Sequence, residues 1–595
     1  MARNKNPFTR RIRTIILLLG LITTFLPITR AQERPPHARA ANAVTKPKLV
    51  VLIVVDQMRA DYIDKFDFQW TGGLKRLVAE GAWFRNAAFP YAVTTTCAGH
   101  ATISTGALPA THGLISNEWW DRELHKEITC TDDSKVKNVG YAGAAVSGGN
   151  SAARLLVPAF ADELKFQSGP GVRVVTFSLK ARSSITLGGR AGDAVTWFDP
   201  AVGAWATSSA YPVSKFVEEY AKAHPVSGDY GKTWTPLLPS SAYLYSEKAN
   251  GAVPPPGFGP ALPHPLRGMA NSTAPDPVFY DQWESSPYAD TYLSRFAEAA
   301  VDELGLGKRA GTDFLGVAFS PVDFVGHAFG PRSWEIQDVL VRLDRDLGEF
   351  FSHLDRAVGK GNYVVAFSAD HGVGPIPEDL QKLGIDAGWL HVPKVHEQIE
   401  KALEPFHFPK PAVSEIGGTG VYFTPGTYDK LKSNPEALQA VFHAMLSVPG
   451  VAAVYRAEEL ENRPSTMSPM EIAQSESFLS SRSGDLVLVP KPYWLWDYSE
   501  PGTSRDYGAT HGAPYAYDQR VPVLLMGFGI QPGEYFEAIT PADIAPTLAA
   551  LCGVTLVVSD GHVLSEALKE PAPVHSASHP IRPKSVPTSA PTSNP

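Results

Sequence analysis

Short apolar runs rich in β-branched residues recur along the chain, and several are followed at once by a side chain that can bind a metal. Runs of this kind predict strands that are buried on both faces of a parallel sheet. Because the carboxyl ends of parallel strands meet at one edge of the sheet, we expect the side chains that follow them to lie together. The three clearest cases are Leu49 to Val55 with Asp56, Phe314 to Phe319 with Asp323, and Tyr363 to Phe367 with Asp370 and His371.

Other segments extend this pattern of strands and predict helices between them. Further predicted strands are Val172 to Phe177, Leu486 to Val489 and Val523 to Met526. Apolar residues at intervals of three and four from Ile336 to Leu354 predict a crossover helix. Thr540 to Asp543 combines an N-cap, a proline and an acidic residue, which predicts a helix start. The alternation of strands and helices indicates an α/β fold.

Two long stretches interrupt the alternation. Residues from about 119 to 293 are rich in proline, glycine and aromatic residues and include a hairpin-like segment from Val195 to Thr207. The second stretch runs from about 375 to 482. Segments this long are rarely plain loops. We therefore interpret both as insertions that cap the strand ends of one catalytic domain spanning 47–568.

The two ends of the chain have compositions of their own. Basic residues precede an apolar run from Ile15 to Ile28, and small residues at Thr29 and Ala31 suit cleavage after Ala31. Residues 1–31 are therefore predicted to be a signal peptide for export to the periplasm or beyond. The run is shorter than the roughly 20 residues that span a bilayer, so a retained membrane anchor is the weaker alternative. The general and twin-arginine routes both stay open. We interpret 32–46 as a linker and the Pro/Ser-rich segment 569–595 as a disordered tail.

Composition narrows the class of protein. With 44% hydrophobic and 19% charged residues, the chain can bury a large core. A net charge of −8 argues against general nucleic-acid binding. Three cysteines are too few for a disulfide framework in an exported protein. One bridge, foremost between Cys97 and Cys130, is compatible with the count, but the sequence does not establish it.

Candidate chemistry centres on a run of three threonines, Thr94 to Thr96, that precedes a turn of small residues. We interpret Thr96 as a nucleophile, although such runs are also common as turns and N-caps. Around it, the predicted strand ends supply carboxylates and imidazoles suited to zinc. Any one of these has an ordinary explanation as a cap or an exposed residue, but the whole set predicts a hydrolase with two metal ions. The candidate metal ligands are Asp56, Asp323, His327, Asp370, His371 and His511.

Five motifs occur in the order known for one family. The sequence resembles the alkaline phosphatase superfamily, and within it the PafA-type phosphatases and the related nucleotide pyrophosphatase/phosphodiesterases. The resemblance runs from about Lys48 to about Leu568. It implies a three-layer α/β sandwich with a mostly parallel central sheet and cap insertions. The motifs are Leu49 to Arg59, Thr96 to His100, Asp323 to His327, Ser368 to Gly372, and Thr510 to Gly512.

The resemblance also implies a role for each candidate residue. Two zinc ions are implied, the first surrounded by Asp56, Thr96, Asp370 and His371, and the second held by Asp323, His327 and His511. Thr96 would attack phosphorus and form a phosphothreonine, which water then hydrolyses. Asn117, Lys180 and Arg182 would contact the phosphoryl oxygens.

The pair Lys180 and Arg182 bears on which phosphate ester is cleaved. A monoester dianion exposes one more charged oxygen than a diester, and planar Arg with compact Lys suits that extra charge. We therefore expect a zinc-dependent phosphate monoesterase. We also expect broad specificity for small molecules, a monomeric protein, no nucleic-acid partner and no stable membrane anchor. The alternatives are a phosphodiesterase or nucleotide pyrophosphatase with the same metal core, and an inactive protein that binds zinc and phosphate esters.

Overall fold

A computed structural model describes residues 46–463, 465–500 and 502–569. The predicted signal peptide, the predicted linker up to residue 45, and the predicted tail from residue 570 lie outside the described residues. The strands are β1 Leu49–Val55, β2 Ala82–Ala87, β3 Glu118–Asp121, β4 Lys126–Thr129, β5 Asn138–Gly140, β6 Val174–Ser178, β7 Ala194–Asp199, β8 Ala204–Ser208, β9 Thr233–Trp234, β10 His264–Pro265, β11 Asp313–Phe319, β12 Tyr363–Ser368, β13 Gly388–His391, β14 Val413–Gly417, β15 Gly420–Phe423, β16 Val451–Arg456, β17 Leu486–Pro490, β18 Trp494–Asp497, β19 Val523–Gly527 and β20 Gly533–Ile539.

The α-helices alternate with these strands, and most begin at a proline, a polar cap or both. They are α1 Asp61–Lys65, α2 Gly73–Glu80, α3 Thr96–Thr105, α4 Pro109–His112, α5 Phe160–Ser168, α6 Ala181–Gly188, α7 Lys215–Ala223, α8 Pro277–Glu284, α9 Pro287–Glu303, α10 Pro321–Phe329, α11 Trp334–Leu354, α12 Pro377–Gln381, α13 Val392–Leu403, α14 Thr427–Lys432, α15 Pro435–Leu446, α16 Ala457–Glu461, α17 Pro469–Glu476, α18 Ala516–Gln519 and α19 Ile544–Cys552.

A ten-stranded sheet forms the centre of the fold, in the order β20-β2-β19-β12-β1-β11-β6-β7-β8-β5. Strands β12, β1, β11, β6 and β7 run parallel to one another, whereas β19, β8 and β5 pair antiparallel with their neighbours. Every residue of β1 is buried, as its continuous apolar sequence predicts for a central strand. The mostly parallel sheet confirms the predicted fold class.

Two groups of helices pack against this sheet. In the first group, α11 contacts α2, α9 and α10, and in the second, α3 contacts α5, α6 and α19. The periodic segment from Ile336 to Leu354 lies within α11, and its apolar stripe is buried, as predicted. Thr540 donates and accepts the hydrogen bonds of a capping box before α19, and Gly553 ends that helix with a left-handed φ of 59°. Among the described residues, no helix has the length and apolarity to cross a bilayer.

The two stretches predicted as insertions differ in how they relate to the central sheet. Between 119 and 293, strands β5 to β8 join the central sheet, and the predicted hairpin from Val195 to Thr207 is formed by β7 and β8. Between 375 and 482, strands β14, β15 and β16 belong to a separate four-stranded sheet completed by β17. Helices α13 and α15 cover that sheet and share a second hydrophobic core with it.

Helix α3 approaches the end of β12 very closely, at Gly99. A Cβ atom placed on Gly99 would lie 2.0 Å from the backbone carbonyl oxygen of Asp370. Since neither backbone can move without displacing a strand or a helix, only glycine fits at this position. The contact holds the start of α3, and with it Thr96, against the Asp370 end of β12.

We predict that Gly99→Ala destabilises the protein by more than about 2 kcal/mol, because the added methyl group meets backbone and not a flexible side chain. Chemical denaturation followed by circular dichroism measures the change. Gly228→Ala is the matched control, since Gly228 has open space around its Cβ direction and should change the free energy of unfolding by less than about 0.5 kcal/mol. Equal stability of the two variants would contradict the close packing of α3 on β12.

Candidate active site

Four neighbouring parallel strands, β12, β1, β11 and β6, deliver polar side chains to the same edge of the sheet. Asp56 follows β1 directly, Asp370 lies two residues after β12, and Lys180 lies two residues after β6. Asp323 lies in the first turn of α10, shortly after β11. All four side chains are buried. The parallel arrangement therefore concentrates three carboxylates and one ammonium in one small volume.

The candidate nucleophile lies at the start of α3. Thr96 is the first residue of the helix, after the extended N-cap Thr95, and it is 1% exposed. Its Oγ1 atom lies 3.5 Å from Nε2 of His371. The N-terminus of a helix carries a partial positive charge, which favours an oxyanion at this position.

Two overlapping clusters of side chains have the composition of metal sites. In the first, ligand atoms of Asp56, Asp370 and His371 lie within 4.8 Å of one another, and in the second the same holds for Asp323, His371 and His511. His327 adjoins the second cluster, with its Nε2 atom 3.2 Å from Oδ1 of Asp323. His371 thus belongs to both clusters, and its ring stacks on that of His511 with centroids 3.5 Å apart.

Backbone carbonyl groups fix the tautomer of each imidazole. Nδ1 of His327 lies 2.9 Å from the oxygen of Ala509, Nδ1 of His371 lies 2.9 Å from that of Gly372, and Nδ1 of His511 lies 2.8 Å from that of Thr94. Since a carbonyl oxygen only accepts, each Nδ1 must carry a proton, so Nε2 is the nitrogen of each ring that is directed at the clusters. This is the form in which histidine binds metals.

Lys180 lies between the two clusters. Its Nζ atom donates to Oδ2 of Asp56 at 2.6 Å and also to Oδ2 of Asp323. A single ammonium group therefore joins a carboxylate of the first cluster to a carboxylate of the second.

The electrostatics of the site follow from burial and from these close charges. Burial, and then the carboxylates of Asp323 and Asp370, raise the pKa of Asp56 well above its ordinary value. Burial also raises the pKa of Asp323, but Lys180 and then His327 outweigh it and hold that pKa well below the ordinary value. Burial, and then His371 and His327, lower the pKa of His511. The imidazole is thereby kept neutral beside a group of negative charges.

The donor atoms fit a divalent metal. Oδ1 of Asp56 is buried and has no hydrogen-bond partner among the described residues, and Oδ2 of Asp370 is equally buried, 3.1 Å from Nδ1 of His100. They lie 3.5 and 3.4 Å from Nε2 of His371. Buried carboxylate oxygens without donors are costly unless a cation pairs with them, and oxygen with imidazole nitrogen is a donor set that zinc accepts.

A disulfide and a hydrogen bond join the start of α3 to the hairpin that carries Asn117. Oδ1 of Asn117 accepts from the backbone N–H of Cys97 at 2.9 Å, which leaves the Nδ2 group as a donor. The backbone oxygen of Asn117 accepts from Cys130, and Cys130 is bridged to Cys97. The bridge that the cysteine count left open is therefore present, and Cys552 is a buried free thiol.

Tyr507 lies beside His327 at the edge of the second cluster, and Arg182 is close enough to Tyr507 to oppose the rise in its pKa that burial causes. Arg182 follows Lys180 into α6, and within the described ranges its guanidinium forms no hydrogen bond or ion pair. The ring of Tyr507 lies 4.6 Å from that of His327 and is 48% exposed. Sequence patterns give no signal for Tyr507, because it stands in an irregular loop and does not follow a predicted strand in the sequence.

The structure brings all the predicted site residues to one edge of the sheet, with two differences in arrangement. His371 lies within reach of both clusters, and Lys180 contacts two candidate ligands. Two further residues take part that were not assigned a role, although both stand in the motifs: Gln57 and His100. Nδ1 of His100 lies 3.0 Å from the oxygen of Thr96 and 3.1 Å from Oδ2 of Asp370.

Comparisons with known proteins identify similar chains. Residues 50–514 fit the family described as type I phosphodiesterase / nucleotide pyrophosphatase. Alkaline phosphatase PhoV of Synechococcus elongatus is 30% identical over 93% of this chain and 99% of its own, and alkaline phosphatase PafA of Elizabethkingia meningoseptica is 32% identical over 86% and 93%. The crystal structure of PafA superposes with a TM-score of 0.77 at 30% identity, over 89% of this chain and 100% of PafA.

A solved PafA variant superposes almost as well, with a TM-score of 0.76 at 29% identity. Its name records substitutions of one threonine, one asparagine, one lysine and one arginine, in that order.

An α/β sheet with paired ligand clusters beside a helix N-terminus defines a class of metal-dependent hydrolases acting on phosphate esters. Within that class, this chain belongs to the type I phosphodiesterase/nucleotide pyrophosphatase family of the alkaline phosphatase superfamily. The resemblance stated from the motifs is thereby confirmed.

Proposed function

We propose that this protein is an alkaline phosphatase that hydrolyses phosphate monoesters through a phosphothreonine at Thr96. The observation that carries the proposal is the position of the Thr96 hydroxyl, buried at a helix N-terminus and 3.5 Å from the imidazole shared by the two ligand clusters. Named alkaline phosphatases that match most of the chain support the same activity.

The two clusters would hold two zinc ions. Asp56, Thr96, Asp370 and His371 would bind the first ion, and Asp323, His327 and His511 the second. Zinc in such a site lowers the pKa of a bound hydroxyl or water and offsets the charge of the phosphoryl group. The number and kind of ions are part of the proposal.

The chain's own residues would supply the nucleophile and its setting. The Thr96 oxygen attacks phosphorus, a bond forms between them, and the alcohol oxygen of the ester departs. The positive end of α3 stabilises the Thr96 oxyanion. Water then cleaves the phosphothreonine, which releases inorganic phosphate and restores the hydroxyl.

Asn117, Lys180 and Arg182 would bind the phosphoryl oxygens. The amide of Asn117 is held at the start of α3 by its bond to Cys97, and Lys180 lies between the clusters. Support also comes from the solved PafA variant, whose substituted threonine, asparagine, lysine and arginine follow one another at nearly the intervals that separate Thr96, Asn117, Lys180 and Arg182 here. Two cations suit the dianion of a monoester.

The proposed function also includes a domain organisation and a cellular location for the protein. We propose one catalytic domain over 47–568, in which the segment with its own core between about 375 and 482 forms a cap. Export by the N-terminal signal would place the enzyme in the periplasm or outside the cell, where it would release phosphate from a broad range of small esters as a monomer.

A paired assay tests the substrate class. We expect kcat/KM on an aryl monophosphate to exceed that on the corresponding bis-aryl phosphate. Arg182→Ala should lower the monoester value by about 100-fold, the scale for loss of one group that stabilises developing charge. The diester value should fall much less, because a diester lacks the second charged oxygen.

Arg345→Ala is the control for the loss of an arginine, because Arg345 is exposed on α11 and forms no ion pair among the described residues. It should leave both values unchanged. A diester preference in the unmodified protein would replace the proposal with the phosphodiesterase alternative.

Removal of metal tests the clusters. Dialysis against a strong chelator should abolish turnover and lower Tm, because ions that bind only the folded state stabilise it. Two equivalents of zinc should restore both, as measured by elemental analysis, differential scanning calorimetry and assay together. Full activity in protein shown to contain no metal would contradict the proposal.

A further inference from the structure

Gln57 is a buried glutamine at the centre of the site, outside the set of candidate ligands and substrate contacts. It follows Asp56 at the end of the central strand β1 and is 1% exposed. Burial of an amide is costly unless its hydrogen bonds are made. The partners of Gln57 therefore indicate what it does.

Gln57 donates two hydrogen bonds, and both go to candidate metal ligands. Its backbone N–H donates to Oδ1 of Asp370 at 3.0 Å, and its side-chain Nε2 donates to Oδ1 of Asp323 at 2.6 Å. These two carboxylates belong to different clusters. They also follow the two strands that pair with β1 on either side, β12 and β11. One residue just beyond the central strand thus contacts the carboxylates that follow both neighbouring strands.

The hydrogen bonds fix how each of the two carboxylates is oriented. Oδ1 of Asp370 accepts from the backbone N–H groups of both Gln57 and His371, which turns Oδ2 towards Nδ1 of His100 at 3.1 Å and Nε2 of His371 at 3.4 Å. On Asp323, Gln57 fixes Oδ1 while Lys180 contacts Oδ2. Hydrogen bonds of this kind orient the ligands of a metal and tune its affinity.

The backbone around Gln57 is shaped to allow this contact. Gln57 has a φ of 64°, a left-handed conformation that is uncommon for residues other than glycine. Such conformations persist where the surroundings hold them and concentrate at functional sites. Across from it, a Cβ on Gly326 of α10 would lie 1.8 Å from Oε1 of Gln57. The α10 helix therefore leaves room for the amide between Asp323 and His327.

We propose that Gln57 is a positioning residue that couples the two metal clusters by holding Asp323 and Asp370 in a fixed relation. The inference rests on the proposed function, since it concerns the metals that the function requires. Loss of the Nε2 donor would free the Asp323 carboxylate to turn, while the backbone bond to Asp370 would persist. The second cluster should therefore weaken more than the first.

Zinc affinity of the full chain, measured by competition with a chromophoric chelator, tests the proposal without reference to activity. Gln57→Met keeps the length of the side chain and removes the donor. We expect the dissociation constant of one of the two ions to rise by about 10- to 100-fold, the usual effect of removing a group that orients a ligand, and that of the other ion to change less. Gln57→Gly, which suits the left-handed backbone and keeps the N–H, should show the same rise if the methionine variant does not fold.

Gln337→Met is the matched control. Gln337 is a fully buried glutamine whose Nε2 donates to Gln69 and to the oxygen of Ala242, away from every candidate ligand. It should lower Tm and leave zinc affinity unchanged. An equal loss of zinc affinity in the control would overturn the proposal, because the effect would then be one of general stability.

Two further outcomes separate this inference from the function on which it rests. In the first, the Gln57 variants and the unmodified protein each bind two ions, with every affinity in the variants within about twofold of its value in the unmodified protein. The coupling role is then wrong and the metal site stands. If the unmodified protein binds no zinc, the proposed function fails and the coupling role fails with it.

Discussion

Three buried carboxylates at one edge of the sheet impose the constraint on which the rest of the structure depends. Asp56, Asp323 and Asp370 lie within a few side chains of each other and out of contact with water. Uncompensated burial of such charges would cost several kcal/mol for each carboxylate, a total comparable to the whole stability of a domain. Lys180 supplies one positive charge. The carboxylate oxygens beside His371 favour the binding of further cations. Divalent metal ions bound there would be in place to act on a substrate.

The backbone, and not long flexible side chains, places the charged and ligating groups of the site. Short, stiff Asp side chains stand directly at strand ends, and carbonyl groups from distant segments orient the imidazoles. The oxygen of Thr94 orients His511, and that of Ala509 orients His327. The loop that carries His511 is therefore tied to the segment that carries the nucleophile. A change in either should disturb both ligands and nucleophile together.

Local sequence predicts the centre of the fold well because the physical signals there are strong. The continuous apolar run of β1 and the periodic stripe of α11 each allow only one kind of element, and both form as expected. The hairpin of β7 and β8 is visible in the sequence, but its membership of the central sheet is not. Which sheet a hairpin joins depends on contacts between residues far apart in the chain.

The candidate site, like the fold, is predicted only in part by the sequence. Strand-end carboxylates and motif spacing identify which residues converge, whereas the sharing of His371 between clusters depends on ring stacking that no spacing encodes. The Cys97 to Cys130 bridge likewise requires the folded proximity of α3 and the end of β4. Gln57 stands in a recognisable motif, but its partners are known only once three strands are placed side by side.

The central claim is that one hydroxyl among three adjacent threonines carries the phosphoryl group. Rapid acid quench during turnover of an aryl monophosphate, followed by peptide mass spectrometry, tests it directly. We expect phosphate on Thr96 alone in the unmodified protein and no phosphorylated peptide from Thr96→Ala. Phosphate on Thr94 or Thr95, or full turnover by Thr96→Ala without any phosphorylated peptide, would contradict it.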